Sequence, residues 1–120
     1  MATVRSYQDL LAWQRAMDMA VAAYECTRRF PREEIYGLSS QLRRAAVSVP
    51  SNIAEGQGRL TTGEFRHFLG IARGSTCELQ SQLQIARRLG FGSTEALDNA
   101  ENLSHEIGKM IFTILKKLNT

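Results

Sequence analysis

Apolar residues recur at three- and four-residue intervals along most of the chain, the period of helices with one inward face. Leu10, Trp13, Met17, Ala20 and Tyr24 form the first stripe. Ser6 offers a hydroxyl cap ahead of it, with Asp9 three residues on, and Phe30-Pro31 stops it. The second stripe is Ile35, Leu38, Leu42, Ala45, Val49 and Ile53. It follows Glu33 and Glu34, whose carboxylates suit the positive end of a helix, and Gly56 and Gly58 release it. Thr61-Thr62-Gly63-Glu64 reads as a capping box for a third helix, striped by Phe65, Leu69, Ala72, Thr76, Leu79, Leu83 and Ala86. Gly90 and Gly92 end that helix, and Ser93 caps a fourth carrying Leu97, Ala100, Leu103, Ile107, Met110, Ile114 and Leu118.

Pro50 falls inside the second stripe. A proline there removes a backbone donor and crowds the carbonyl of Ala46, at a cost of ~3 kcal/mol. Yet Leu42, Ala46, Val49 and Ile53 keep helical phase across it, which predicts one kinked helix rather than two. Short connections between the helices predict antiparallel neighbours. The expected fold is an all-α, up-down-up-down four-helix bundle, one domain over residues 1–120.

Composition adjusts this picture little. The chain is 43% hydrophobic and 22% charged, as in a globular protein. Its formal charge of +3 imposes no particular partner. No apolar run approaches the ~20 residues of a membrane span. The first residues lack a signal peptide's apolar core. Two cysteines without metal-ligand spacing suit a reducing cytoplasm, so a cytoplasmic protein with no membrane partner is expected. Cys26 and Cys77 fall on diagonal helices and are not expected to bridge.

Helix three carries a second seam: Phe68, Ile71, Ser75, Glu78, Gln82, Ile85 and Leu89. Helix two has a widened flank of Tyr36, Val47, Pro50 and Ala54. Second apolar-rich faces point to a subunit interface, hence to a homo-oligomer in which Phe68, Ile71, Ile85 and Leu89 contact another copy.

Three word groups carry a family resemblance: Gln41-Leu42-Arg43-Arg44-Ala45; Val49-Pro50-Ser51-Asn52-Ile53-Ala54-Glu55-Gly56; and Glu64-Phe65 through Gly74-Ser75, Glu78-Leu79 and Gln82-Leu83. With these the chain resembles the four-helix-bundle proteins of the ribosomal-RNA intervening-sequence family. The resemblance implies a four-helix subunit assembled as a homopentamer. It brings no catalytic residues, and a distant relative implies nucleic-acid binding.

The residues offer few sites for chemistry. Folding back near residue 60 would set Arg43 level with Glu78 on apolar flanks, as a buried structural pair, an ordinary surface pair or a ligand-binding one. Asn52 would satisfy the backbone near the Ala46 carbonyl or cap a neighbouring helix. Gln41, Arg44, Ser48, Ser51 and Glu55 form a polar stripe, either solvated or facing the channel of a ring. Glu64-x-x-His67 has the spacing of di-iron bundles but no second copy, so no metal and no cofactor are expected. Gly70-x-x-x-Gly74 reads as a close helix approach. Arg28, Arg29, Arg32, Arg87 and Arg88 share one end with enough carboxylates to offset them. Arg5, Arg59, Arg66, Lys116 and Lys117 gather at the other, against fewer acids, and are the candidate nucleic-acid-binding residues. No aromatic–basic interleaving is evident, so sequence-specific reading is not expected. The expected function is a non-enzymatic oligomeric assembly or binding module for structured RNA or another nucleic acid. The competing class is a small-ligand protein or enzyme with a pocket around Arg43, Asn52 and Glu78.

Overall fold

The computed structural model describes residues 10–118. Four helices make up most of it: α1 (Leu11–Thr27), α2 (Leu38–Gln57), α3 (Thr62–Leu89) and α4 (Thr94–Leu118), with no strand among the described residues. α1 packs on α2, α2 on α3, α3 on α4 and α4 on α1. The helices therefore ring a single core, with α1 diagonal to α3 and α2 diagonal to α4. The result is an all-α bundle of 45 × 24 × 21 Å.

The core is built from Met19, Leu42, Ile53, Leu69, Leu79, Leu83, Ile107 and Ile111, all fully buried. Each contributes roughly 1.5–3 kcal/mol relative to exposure. The α3 stripe faces inward as its period predicts: Leu69, Ala72, Thr76, Leu79, Leu83 and Ala86 are buried and Phe65 packs against them. Along α4, Leu97, Ala100, Ile107 and Ile111 form the buried line, flanked by Leu103, Met110, Ile114 and Leu118.

α1 is rotated from expectation. Ala12, Ala16, Met19, Ala23 and Cys26 face the core, while Met17 and Tyr24 are exposed and Leu10, Trp13 and Ala20 only flank it. The alanines keep three- and four-residue spacing of their own and let α1 approach closely. Its larger side chains are left on the shoulders. Its expected cap, Ser6 with Asp9, lies outside the described residues, and Leu10 makes no side-chain capping bond.

α2 begins later than the acidic pair suggested. Arg32–Glu34 forms a short 3-10 turn, and Ile35 is exposed ahead of α2 rather than part of its stripe. Glu34 Oε1 accepts the Leu38 N–H at 3.0 Å, so this carboxylate caps α2 from outside. The helix runs unbroken from Leu38 to Gln57 with Pro50 buried inside it. Asn52 Nδ2 donates to the Ser48 carbonyl at 2.8 Å and to Ser48 Oγ at 2.9 Å. The carbonyl it serves is thus Ser48, one helical turn earlier, and not Ala46. Ser48 Oγ in turn meets Ser75 Oγ of α3 at 2.8 Å.

At Gly56, α2 and α3 approach too closely for a side chain. A Cβ there would stand 2.8 Å from Phe68 Cβ and 3.1 Å from Phe65 Cδ1. Gly70 and Gly74, expected to play that part, are exposed, and a methyl group added at either would meet nothing within 4 Å. Thr61 Oγ1 accepts the Glu64 N–H at 3.1 Å and Ser93 Oγ accepts the Ala96 N–H at 3.1 Å, so both hydroxyls cap their helices. Gly90 closes α3 at φ 75°, with Phe91 N–H reaching back to Ala86 O at 2.9 Å.

Candidate nucleic-acid interface

The seam between α3 and α4 is lined by two facing polar stripes. On α3 these are Arg66, Arg73, Gln80, Gln84 and Arg87, at intervals of three, four or seven residues. On α4 they are Asp98, Glu101, His105, Lys109, Phe112 and Lys116, at intervals of three or four. Helical period places each set on one face.

At the end nearer the α3–α4 turn, opposite charges meet. Arg87 Nη2 bonds Asp98 Oδ1 at 2.9 Å and lies 3.6 Å from Glu101 Oε1. Gln84 Nε2 donates to Glu101 Oε2. Midway, Gln80 Nε2 and His105 Nδ1 are 3.4 Å apart. Further along, no ion pair crosses the seam among the described residues. Arg73 lies over the Phe112 ring at 5.4 Å from its centroid, and Lys116 Nζ lies at 5.7 Å. Lys109 lines the same groove, an open trench of about 290 Å3 that also takes in Thr76, Cys77, Gln80, His105 and Gly108. Phe112 is 47% exposed. Among the described residues, Arg66, Arg73, Lys109 and Lys116 make no salt bridge.

The expected basic end is therefore only partly assembled. Arg5 lies outside the described residues. Arg59 bonds Glu55 at 3.0 Å, approaches Glu64 at 3.8 Å and lies 4.8 Å above the Phe68 ring. It is held in the α2–α3 corner by a carboxylate one turn back and another just ahead. Arg66 and Lys116 are exposed on α3 and α4, and Lys117 is exposed beside Lys116. Arg73, Lys109 and Phe112 were missed. Their signal was present as two pairs of cations spaced by seven, Arg66/Arg73 and Lys109/Lys116, with an aromatic between the second pair. Aromatic and basic groups do interleave here, across two helices rather than along one.

Arg43 and Glu78 do not pair. Arg43 Nε donates to Thr27 Oγ1 at 2.8 Å and its guanidinium lies 4.8 Å above the Tyr24 ring, both on α1. Glu78 is exposed and Oε1 accepts from Gln82 Nε2 at 3.1 Å, while Gln82 Oε1 is buried without a partner. α1 offers Arg43 an aromatic face and a hydroxyl acceptor, so the side chain turns away from α3. The groove beside Arg43 accordingly includes neither Asn52 nor Glu78.

The second seam of α3 also divides. Phe68 and Ser75 turn toward α2 and Gln82 is buried, whereas Ile71, Glu78, Ile85 and Leu89 remain exposed. Cys26 and Cys77 are both free, one buried and one exposed. Burial pushes the Cys26 thiol up to about 11, against a smaller opposite pull from Arg87. No group of three or more His, Cys, Asp or Glu side chains converges among the described residues. Among those residues, no helix is long and apolar enough to cross a membrane.

The model of the 23S rRNA-intervening sequence protein family matches residues 8–113. The chain belongs to that family. A crystal structure from Bacteroides thetaiotaomicron, of a protein with unknown function from the S23 ribosomal protein family, superposes with a TM-score of 0.81. It is 23% identical, and the match covers 88% of this chain and 96% of that one, which establishes the shared fold. No curated protein matches the chain.

Proposed function

We propose that this member of the 23S rRNA-intervening sequence protein family is a non-enzymatic, cytoplasmic RNA-binding module that acts as a homo-oligomer. The observation that carries the reading is the half of the α3–α4 seam that no ion pair crosses among the described residues. Arg66, Arg73, Lys109 and Lys116 are surplus to the ion pairs of the fold, and Arg73, Lys109 and Lys116 gather at an exposed aromatic ring. Cations without counter-charges release condensed ions when they meet a phosphate backbone, and an exposed ring stacks on bases. The family's name supplies RNA as the nucleic acid.

Exposed Ile71, Ile85 and Leu89 on α3 support self-association, with the homopentamer implied by the family resemblance as the expected order. Repetition by symmetry multiplies the basic grooves and their avidity. Fluorescence anisotropy with structured RNA, single-stranded RNA and duplex DNA, titrated with salt, tests the reading. RNA affinity that falls steeply with salt is expected. Absence of binding to all three at low salt overturns it. Light scattering should report a mass several times 13.4 kDa; a monomer at micromolar concentration removes the oligomer.

A further inference from the structure

On the opposite side of the helix ring, between α1 and α2, lies a groove of about 490 Å3 lined by Tyr24, Ile35, Ser40, Arg43, Arg44, Val47 and Ser48. Its lining contains two guanidinium groups and no carboxylate. Neither arginine makes a salt bridge among the described residues. Arg43 is nonetheless fixed in place. Its Nε is anchored on Thr27 Oγ1 at 2.8 Å, and its Cζ lies over the Tyr24 ring, 4.8 Å from the centroid. Thr27 is itself buried and its hydroxyl is bonded to the carbonyls of Ala23 at 3.0 Å and Tyr24 at 3.1 Å. The anchor is therefore rigid. With Nε engaged, the two Nη groups are the donors left to Arg43.

We infer that this groove is a phosphate-monoester site that binds a nucleoside monophosphate, free or as the terminal phosphate of an RNA strand. A guanidinium fork held by its own Nε and seated over an aromatic ring is pre-organised for two oxygens of one anion. A second arginine in the same lining favours a dianion over a carboxylate, because a phosphate monoester carries about −1.5 to −2 charge at neutral pH. Ser40 adds a hydroxyl donor, while the Ser48 hydroxyl is engaged by Asn52 and Ser75. The exposed faces of Ile35 and Val47 give the nucleoside an apolar wall. This inference is independent of the α3–α4 reading, since the two grooves share no residue.

Isothermal titration of the full chain with adenosine monophosphate, adenosine and inorganic phosphate tests it. The monophosphate should bind at least about tenfold more tightly than adenosine, as loss of one charge-assisted fork implies. Arg43→Gln and Arg44→Gln should each weaken it by about tenfold or more. Arg43→Lys should not restore it, because a point charge lacks the fork. Arg44 makes no side-chain bond among the described residues, so Arg44→Gln carries the test even if Arg43 variants misfold. Arg73→Gln and Lys109→Gln should leave it unchanged. RNA oligomers with and without a 5′-phosphate separate the sources. A gain from the phosphate that Arg44→Gln abolishes assigns the site to RNA ends; equal oligomer affinities beside intact monophosphate binding assign it to the free nucleotide. No heat with the monophosphate at about 1 mM, or unchanged affinity in Arg44→Gln, overturns the proposal.

Discussion

The two halves of the α3–α4 seam share the same pair of helices and the same facing stripes, yet differ in charge economy. In one half Arg87 sits between Asp98 and Glu101 and Gln84 completes the network. In the other, Arg73 and Lys116 face an exposed phenyl ring with no carboxylate within salt-bridge distance. The first arrangement explains itself as part of the fold. The second leaves cations that the fold does not neutralise, in a groove whose lining includes Gly108. Like charges kept close without compensation raise the energy of the folded chain unless a polyanion relieves them. This contrast, rather than the net charge, is the ground for proposing the interface in the second half.

The contrast is broken most severely by removing the unpaired half. Arg73→Gln, Lys109→Gln and Lys116→Gln together should make the slope of log affinity against log salt shallower by about 2 for single-stranded RNA, with a large fall in low-salt affinity. Next in size is Phe112→Ala. If a base stacks there, single-stranded RNA should lose ~1–3 kcal/mol of binding while the salt slope stays the same. An unchanged affinity would leave the groove as a phosphate track alone.

A third substitution sharpens the comparison by converting one half into the other. Asp98→Asn with Glu101→Gln strips Arg87 of its partners and should add up to one phosphate contact, steepening the slope by about 0.7. Smaller still is the stability effect of Arg87→Gln. Its partly exposed pair should contribute only ~0–1 kcal/mol in a denaturant titration.

The α1–α4 side supplies a reference for what a neutralised seam does. There Arg15 grips Glu106 through Nε at 3.0 Å and Nη2 at 2.9 Å, and also bonds Asp18 at 2.8 Å. The Arg15 hydrogen bonds and charge hold the Glu106 carboxyl below the usual carboxylate range, against a smaller effect of burial. A depressed carboxyl stabilises the fold fully above the unfolded value of ~4.3 and loses that contribution as pH falls through the lower folded value. Thermal melts should therefore show Glu106→Gln less stable than the parent near neutrality, with the gap narrowing below about pH 4.

Much of this architecture could be read from the chain because α3 and α4 carry one dominant stripe each. Leu69, Leu79 and Leu83 could face only one way. α1 misled because two stripes compete on it. The large residues Trp13, Met17 and Tyr24 outweigh the alanines in any hydrophobic count, but close packing selects the small ones. The side chain of Arg43 posed a different problem. Helical period places it on the flank of α2, but whether that flank faces α1 or α3 depends on the handedness of the ring, which spacing does not encode. The basic groove was missed for a related reason. Arg73, Lys109 and Phe112 belong together only across two helices, and a reading along one helix at a time sees separate charges.

A charge-matched pair of variants tests the central claim most directly. Lys109→Gln and Arg87→Gln each remove one positive charge from the same seam. Anisotropy against single-stranded RNA over a salt series should show the slope shallower by about 0.7 for Lys109→Gln and unchanged for Arg87→Gln. Equal changes in both would mean that RNA senses only net charge. A change in Arg87→Gln alone would place the interface in the neutralised half and contradict the account.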